Sequence, residues 1–138
     1  MLAAVQSAIF SRLTGYTALT ALLANGSGSV VDFMPQESVA FPFVQIGQMS
    51  ASEFDADDRL GAQVSVQVDS WSQHRGKQEC QQIMAQVYNA LHRHSALSVT
   101  GYNTVDVLWD GLSTVMSDPD GLSFHGVQTF RVTITQAA

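Results

Sequence analysis

Two segments of the chain alternate strictly between apolar and polar residues. The first lies within residues 59–71 and the second within 124–135. A period of two places successive side chains on opposite faces of a β-strand, so we predict two strands with one face each in the core. The apolar positions are Val64, Val66 and Val68 in the first strand and Phe130, Val132 and Ile134 in the second.

Two other segments repeat their apolar residues at intervals of three and four, which is typical of a helix with one buried face. The first covers residues 2–13 and is followed by Gly15, and the second covers 75–94, with Ser72 as its predicted cap. The apolar faces consist of Leu2, Val5, Ile9 and Leu13, with Ala8 beside them, and of Cys80, Ile83, Val87 and Leu91.

The remaining segments are shorter, and their turn residues separate them. Glycine, proline, asparagine and aspartate favour the backbone conformations of turns. We predict a short helix at 17–23, a turn or mobile loop at 25–29, strands at 30–33 and 43–49, an exposed acidic loop or hairpin tip at 50–58, a strand at 104–116 with a bulge at Gly111, and a turn at 117–121.

This order of elements predicts an α+β fold in which a mostly antiparallel β-sheet packs against an N-terminal helix and a central helix. The length of 138 residues corresponds to about one domain, so we assign residues 1–138 to a single domain.

Charge and cysteine content exclude several classes of protein. Charged residues make up only 13% of the chain, roughly half the usual share, which suggests that a partner covers part of the surface. The net charge of −6 argues against a nucleic-acid reader or a protein that binds anionic membranes. The single cysteine, Cys80, excludes an internal disulfide and lies on an apolar helix face, so we predict an inert thiol.

The sequence contains no assembled catalytic or cofactor motif. The four histidines lack metal-ligand spacing, and the acidic residues at 53–58 lack the glycine and closing glutamate of a calcium loop. Neither a GxSxG elbow nor a GxGxxG loop is present. We therefore expect no enzyme activity, no metal and no cofactor, and we expect Trp71 and Trp109 to serve packing.

Five segments occur in the order found in one family. They are VDFMPQ at 31–36, FPFVQIG at 41–47, DSWS at 69–72, GKQECQQIMAQVYNAL at 76–91 and DPDGLSFHGVQTFRV at 118–132. Together they resemble the tail-completion or tail-terminator proteins of long-tailed bacteriophages and prophages.

The resemblance implies a structural protein without catalysis. Such proteins form a ring, commonly sixfold, on the head-proximal end of the tail tube, where the ring stops tube polymerisation. The expected partners are further copies of the chain, the tail tube protein and the head–tail connector or stopper protein, while genomic DNA passes through the lumen without specific binding. The expected location is the neck region of the virion, after assembly in the host cytoplasm.

Other functions remain open from the sequence. A different neck component, such as a head-closure stopper or adaptor, also forms a ring. A domesticated version in a gene-transfer particle would have the same capping role, and a small ligand-binding domain would need an apolar pocket with convergent polar groups.

A ring requires one surface patch to meet a different patch on the neighbouring copy. The first candidate interface comprises Glu53, Asp55, Asp57, Asp58 and Arg59, and the second comprises Asp118, Asp120, Gly121 and His125. The simpler interpretations are a solvated hairpin for the first set and residues that shape a turn for the second. Carboxylates facing a lumen would repel the DNA backbone, so that DNA slides past them.

Overall fold

The computed structural model describes residues 1–32, 40–56 and 59–137, and for residues 54–56 and 59 it describes the backbone alone. The elements are α1 (Leu2–Thr14), α2 (Thr17–Thr20), a 3₁₀ helix (Gly26–Ser29), β1 (Val30–Val31), β2 (Phe43–Ala56), β3 (Arg59–Ser72), α3 (Gln78–Leu91), β4 (Tyr102–Ser117) and β5 (Phe124–Gln136).

The strands form one sheet in the order β1-β2-β3-β5-β4. The two-residue strand β1 runs parallel to β2, and the other neighbouring pairs are antiparallel. The predicted α+β class, with a mostly antiparallel sheet and helices at the N-terminus and the centre of the chain, is confirmed.

The core lies between the helices and one face of the sheet. The predicted alternation is confirmed, because the valines at 64, 66 and 68 and their counterparts at 130, 132 and 134 are all fully buried. They pack in one cluster with Val5, Ile9 and Leu13 of α1 and with the apolar face of α3. Burying one such side chain contributes roughly 1.5–3 kcal/mol, so this layer supplies the main stabilisation of the fold.

The two long hairpins point to opposite ends of the sheet. Strands β3 and β5 pair from Gly61 with Thr135 to Ser72 with Phe124. The tip of the β2–β3 hairpin therefore lies near the C-terminal end of β5, and the β4–β5 turn lies near the C-terminal end of β3. A strand of this length spans roughly 45 Å, so the two tips are far apart.

The prediction of an exposed loop or hairpin tip over residues 50–58 is wrong for residues 50–56, which lie within a strand. Strand β2 continues through Ala56, and Ser50 to Glu53 pair with Ser65 to Ala62 of β3. The cross-strand ladder extends the strand although the segment itself is polar. Residues 57 and 58 lie outside the described residues, as does Phe33, the last residue of the strand predicted at 30–33.

The central helix is shorter than predicted. It begins at Gln78 and ends at Leu91, with Lys77 at the N-cap position. The predicted cap, Ser72, belongs to β3, and its hydroxyl donates to Glu79 Oε1 at 2.7 Å instead of bonding the helix backbone. After the helix, Arg93 adopts a positive φ of 62°, so the backbone there no longer follows the helical path of α3.

Two N-terminal predictions also need correction. Leu2 is exposed because it begins α1 at the rim of the core, whereas Val5, Ala8, Ile9 and Leu13 are buried as predicted. The segment predicted as a turn or mobile loop at 25–29 contains the 3₁₀ helix, where the buried Ser29 hydroxyl accepts the Asn25 N–H at 2.8 Å.

Candidate functional site

The face of the sheet opposite the helices carries a row of side chains around His125. Cross-strand pairing aligns Phe43 with Trp71, Trp71 with His125, and His125 with Met116. Directly paired residues project from the same face, so the four side chains form one row across β2, β3, β5 and β4. We call these four residues the open-face row.

Aromatic stacking holds the centre of the row together. The His125 ring lies parallel to Trp71, with ring centroids 3.9 Å apart and an angle of 10° between the planes. Trp71 in turn stacks on Phe43 at 6.1 Å. Among the described residues no acceptor contacts the buried Trp71 Nε1. Phe43 is buried, Trp71 and His125 are half-buried and Met116 is exposed, so the exposed apolar surface of the row lies at its Met116 end.

A buried carboxylate fixes the orientation of His125. The His125 Nε2–H donates to Asp69 Oδ1 at 2.8 Å, and the Gln67 side-chain amide donates to the same oxygen at 2.9 Å. Asp69 is almost completely buried, although the alternating pattern places it on the polar face. A buried polar group is tolerated when it is hydrogen-bonded, and Asp69 accepts hydrogen bonds from both His125 and Gln67.

The second candidate set lies in the β4–β5 turn, where Asp120 organises the backbone. Its Oδ1 accepts the N–H groups of Leu122 and Ser123 at 2.8 Å each, and its Oδ2 accepts the Ser123 hydroxyl at 2.7 Å. The hydrogen bond from the Ser123 hydroxyl, followed by those from the two backbone N–H groups, lowers the pKa of Asp120. Gly121 has a φ of 73°, which glycine adopts without strain. These residues shape the turn, on which Asp120 and Leu122 are exposed and Asp118 is half-buried.

The structure separates the two candidate sets. Glu53 is exposed on β2 near the tip of the β2–β3 hairpin, whereas Asp118, Asp120 and Gly121 lie at the opposite end of the sheet. Asp57 and Asp58 fall outside the described residues, and the same applies to the side chains of Asp55 and Arg59. The two candidate sets, predicted as separate interfaces, therefore lie at opposite ends of the sheet.

Sequence reasoning missed the partners of His125. The alternation along β3 does place Gln67, Asp69 and Trp71 on one face of the strand. The pairing of His125 with Trp71, 54 residues apart in sequence, depends on the register between their strands, and no local pattern carries that register.

Cys80, the single cysteine, and His94 do not belong to the open-face row. Cys80 is buried, as predicted, and burial raises the pKa of its thiol to about 11. Burial, with a smaller effect of Arg12, lowers the pKa of His94. Within the described ranges, no three His, Cys, Asp or Glu side chains are arranged to hold a metal ion.

No helix in that part of the chain is long and apolar enough to cross a membrane.

Comparison with known proteins decides the family. A family model described as "Tail completion protein gp17" matches residues 7–135, which is nearly the whole chain. The chain belongs to the tail completion protein gp17 family. Membership gives this tail completion protein a structural role in a phage tail and confirms the resemblance seen in the sequence. No curated protein matches the chain.

Two solved structures are similar to this tail completion protein over most of their length. The structure of the gp17 protein of bacteriophage SPP1 is 26% identical, with a TM-score of 0.64, 96% of this chain covered and 91% of that one. A chain in the virion of a native gene transfer agent particle is 18% identical, with a TM-score of 0.82 and coverages of 94% and 93%. The second likeness concerns the fold alone.

Proposed function

We propose that this protein assembles as a ring on the head-proximal end of the tail tube, ends polymerisation of the tube and forms the joint to the head connector. The match of the tail completion family model to residues 7–135 carries the proposal. The likeness to the SPP1 protein, at 26% identity, supports it. The role is structural, and the protein remains part of the virion at the neck after assembly in the host cytoplasm.

The geometry of the sheet supports simultaneous contact with two partners. The β2–β3 tip and the β4–β5 turn lie at opposite ends of strands roughly 45 Å long. One end faces the tube and the other faces the connector, so a single layer of subunits bridges both. Charge for the first contact comes from the acidic residues near the β2–β3 tip, among which the side chain of Glu53 is described. Charge for the second comes from Asp118 in the β4–β5 turn.

Ring formation requires a heterologous contact between neighbouring copies, and six copies are proposed. The low charge content of 13% fits a chain that buries part of its surface against its neighbours. A stable contact of this kind buries at least about 1,000 Å².

The charge of the chain suits a conduit for DNA. With a net charge of −6, a closed ring repels the phosphate backbone, and DNA moves through the lumen without being held. The described part of the open sheet face has one arginine, Arg131, and Asp110 lies 3.9 Å from it. This partial neutralisation reduces the attraction of DNA to that face.

Deletion of the gene, followed by negative-stain imaging of the lysate, tests the proposal. We expect overlong or ragged tubes separated from DNA-filled heads, and restoration by the wild-type gene supplied in trans. Tails of normal length lying free of filled heads would assign the protein to joining after capping. Leaking, empty heads would favour a head-closure stopper or adaptor, and intact infectious particles would overturn an assembly role.

A further inference from the structure

A groove of about 400 Å³ lies between α3 and the outer strand β4. Its walls are aromatic, because Tyr88 and Trp109 meet there edge to face, with ring centroids 5.8 Å apart. None of the residues that line the groove is charged. Binding sites of this kind combine apolar walls with a small number of polar groups that orient the occupant.

Gln128 lines the groove with an unpaired acceptor. The residue is 3% exposed, and its side-chain amide donates to the Met84 carbonyl at 3.0 Å. No donor among the described residues contacts the buried Gln128 Oε1. Buried acceptors are normally paired, so the groove suits an occupant that carries a hydroxyl beside an aromatic ring.

The groove lies along one side of the subunit. Helix α3 packs over β3, β5 and β4, and β4 is the outermost strand on that side. The edge of β4 next to the groove is occupied by its own chain, because the Trp109 N–H donates to His92 Nδ1 at 3.0 Å and the Val107 carbonyl accepts the Arg93 N–H at 2.6 Å. A partner on this side therefore cannot add a strand at this point and meets the groove instead.

Helix α1 lies along the opposite side of the subunit. It packs over β1 and β2, and β1 is the outermost strand there. On its outward face, Phe10 is 40% exposed, and in the described part of the chain no other phenylalanine, tyrosine or tryptophan is exposed. Ser7 is also exposed and lies one turn before Phe10 on the same helix face. This face thus carries the ring and the hydroxyl that the groove suits.

The outward face of α1 is also uncharged. Arg12, the one charged residue of the helix, donates to the Ala90 carbonyl at 2.8 Å and lies over the Tyr16 ring of its own subunit. Asp32 flanks the face from the end of β1, where its carboxylate accepts the Gln6 side-chain amide at 2.8 Å. No charged side chain of α1 therefore opposes the entry of Phe10 into an uncharged groove.

We propose that α1 of one copy docks in the groove of the next copy in the ring. Phe10 packs against Tyr88 and Trp109, and the Ser7 hydroxyl donates to Gln128 Oε1. This inference rests on the proposed ring and names its subunit contact.

A second copy is the occupant that the architecture favours. The proposed function assigns the two ends of the strands to the tube and the connector, so neighbours in the ring meet along the sides of the sheet. The groove and α1 lie on opposite sides of one chain. Their contact is heterologous and propagates from copy to copy until the ring closes.

Opposite charges placed on the two halves test the contact. Phe10→Arg and Ala85→Glu each bring an unpaired charge to an uncharged interface, and both positions are exposed, so neither change should unfold the chain. We expect each to raise the concentration needed for ring formation at least about tenfold, measured by sedimentation. The chain with both substitutions should recover rings, because the new charges of neighbouring copies pair.

Gln82→Glu is the matched control, since Gln82 is exposed on α3 but does not line the groove. Alone it should form rings as wild type does, and combined with Phe10→Arg it should not recover them. Rings formed by both interface variants as readily as by wild type would overturn the subunit contact alone. Failure of Phe10→Arg with Ala85→Glu to recover rings would also contradict it.

Failure of the ring itself is distinguished by wild type, which would then form no ring in solution or on tail tubes from the deletion lysate. A photo-crosslinking amino acid at position 10 in the otherwise wild-type chain gives a readout that does not depend on the folding of the variants. Crosslinks to the 81–88 or 109–115 peptide of a neighbouring copy are expected. Crosslinks confined to another peptide, or to a tail tube or connector subunit, would contradict the proposed contact.

Discussion

The Asp69 carboxylate occupies the space in which a side chain of residue 47 would lie. A Cβ built on Gly47 would overlap with Asp69 Oδ2, so only glycine leaves the carboxylate where His125 reaches it. Gly47 therefore belongs to the same structural unit as the open-face row, although it contributes no side chain.

Gly47→Ala should lower the free energy of unfolding by about 1–3 kcal/mol, because the added methyl group forces Asp69 or the backbone of β2 to move. Urea denaturation measures the loss. Gly28→Ala is the control, because its Cβ would meet only Asn25 Cβ, at 3.8 Å. Removing the carboxylate as well, in Gly47→Ala with Asp69→Ala, should give a loss smaller than the sum of the single variants, and strict additivity would show that the two residues do not interfere.

His125→Phe keeps a ring against Trp71 but removes the donor to Asp69. We expect a loss of about 1.5–3 kcal/mol in the free energy of unfolding, the range for a hydrogen bond to a charged group. His125→Gln, which restores an amide donor, should recover part of this loss. Equal stability of His125→Phe and wild type would mean that the carboxylate is satisfied without His125.

Cys80 should resist modification in the folded protein. Because burial raises the pKa of its thiol to about 11, the reactive thiolate is scarce at neutral pH. A chromogenic disulfide reagent should label Cys80 at a rate set by unfolding and label it rapidly in denaturing urea. Fast labelling of the native chain would contradict the buried environment.

The same shift makes stability depend on alkaline pH. The pKa of Cys80 in the folded state, about 11, lies above its ordinary value of 9.0, so the folded state binds the proton more tightly. Stability is therefore retained below about pH 9 and declines as the pH rises toward 11. Cys80→Ala should lack this part of the decline.

Asp120 should make the β4–β5 turn sensitive to acid. Hydrogen bonds from the Ser123 hydroxyl and from backbone N–H groups lower the pKa of Asp120 below its ordinary 3.8. Its contribution is therefore present above pH 3.8 and lost as the pH falls through the lowered value. The protection of the Leu122 and Ser123 amides from hydrogen exchange, relative to their intrinsic rates, should fall over that range in wild type.

Asp120→Asn should show lower protection at these amides at neutral pH, with little further loss of protection on acidification. Asp118→Asn is the matched control in the same turn, because among the described residues the Asp118 carboxylate accepts one long hydrogen bond, from the Asp120 N–H to Oδ2 at 3.4 Å. If both variants behaved alike, the turn would owe its order to features other than the Asp120 carboxylate.

Local periodicity determined the elements of the fold. The period of two at 64–68 and at 130–134 predicts which side chains are buried, and so does the helical spacing in α3. The structure buries those side chains. The turn before β5 was equally readable, because aspartate and glycine have conformational preferences of their own. The ordered set of segments along the chain also carried the family, which the match over 7–135 confirms.

Tertiary structure alone decided the sites. A period of two assigns a residue to a face, but it does not state which strand lies beside it or in which register. The pairing of His125 with Trp71 and the burial of Asp69 against Gly47 both depend on contacts between distant segments. The extension of β2 to Ala56 has the same cause, since pairing with β3 holds a polar segment in a strand that its own residues do not favour.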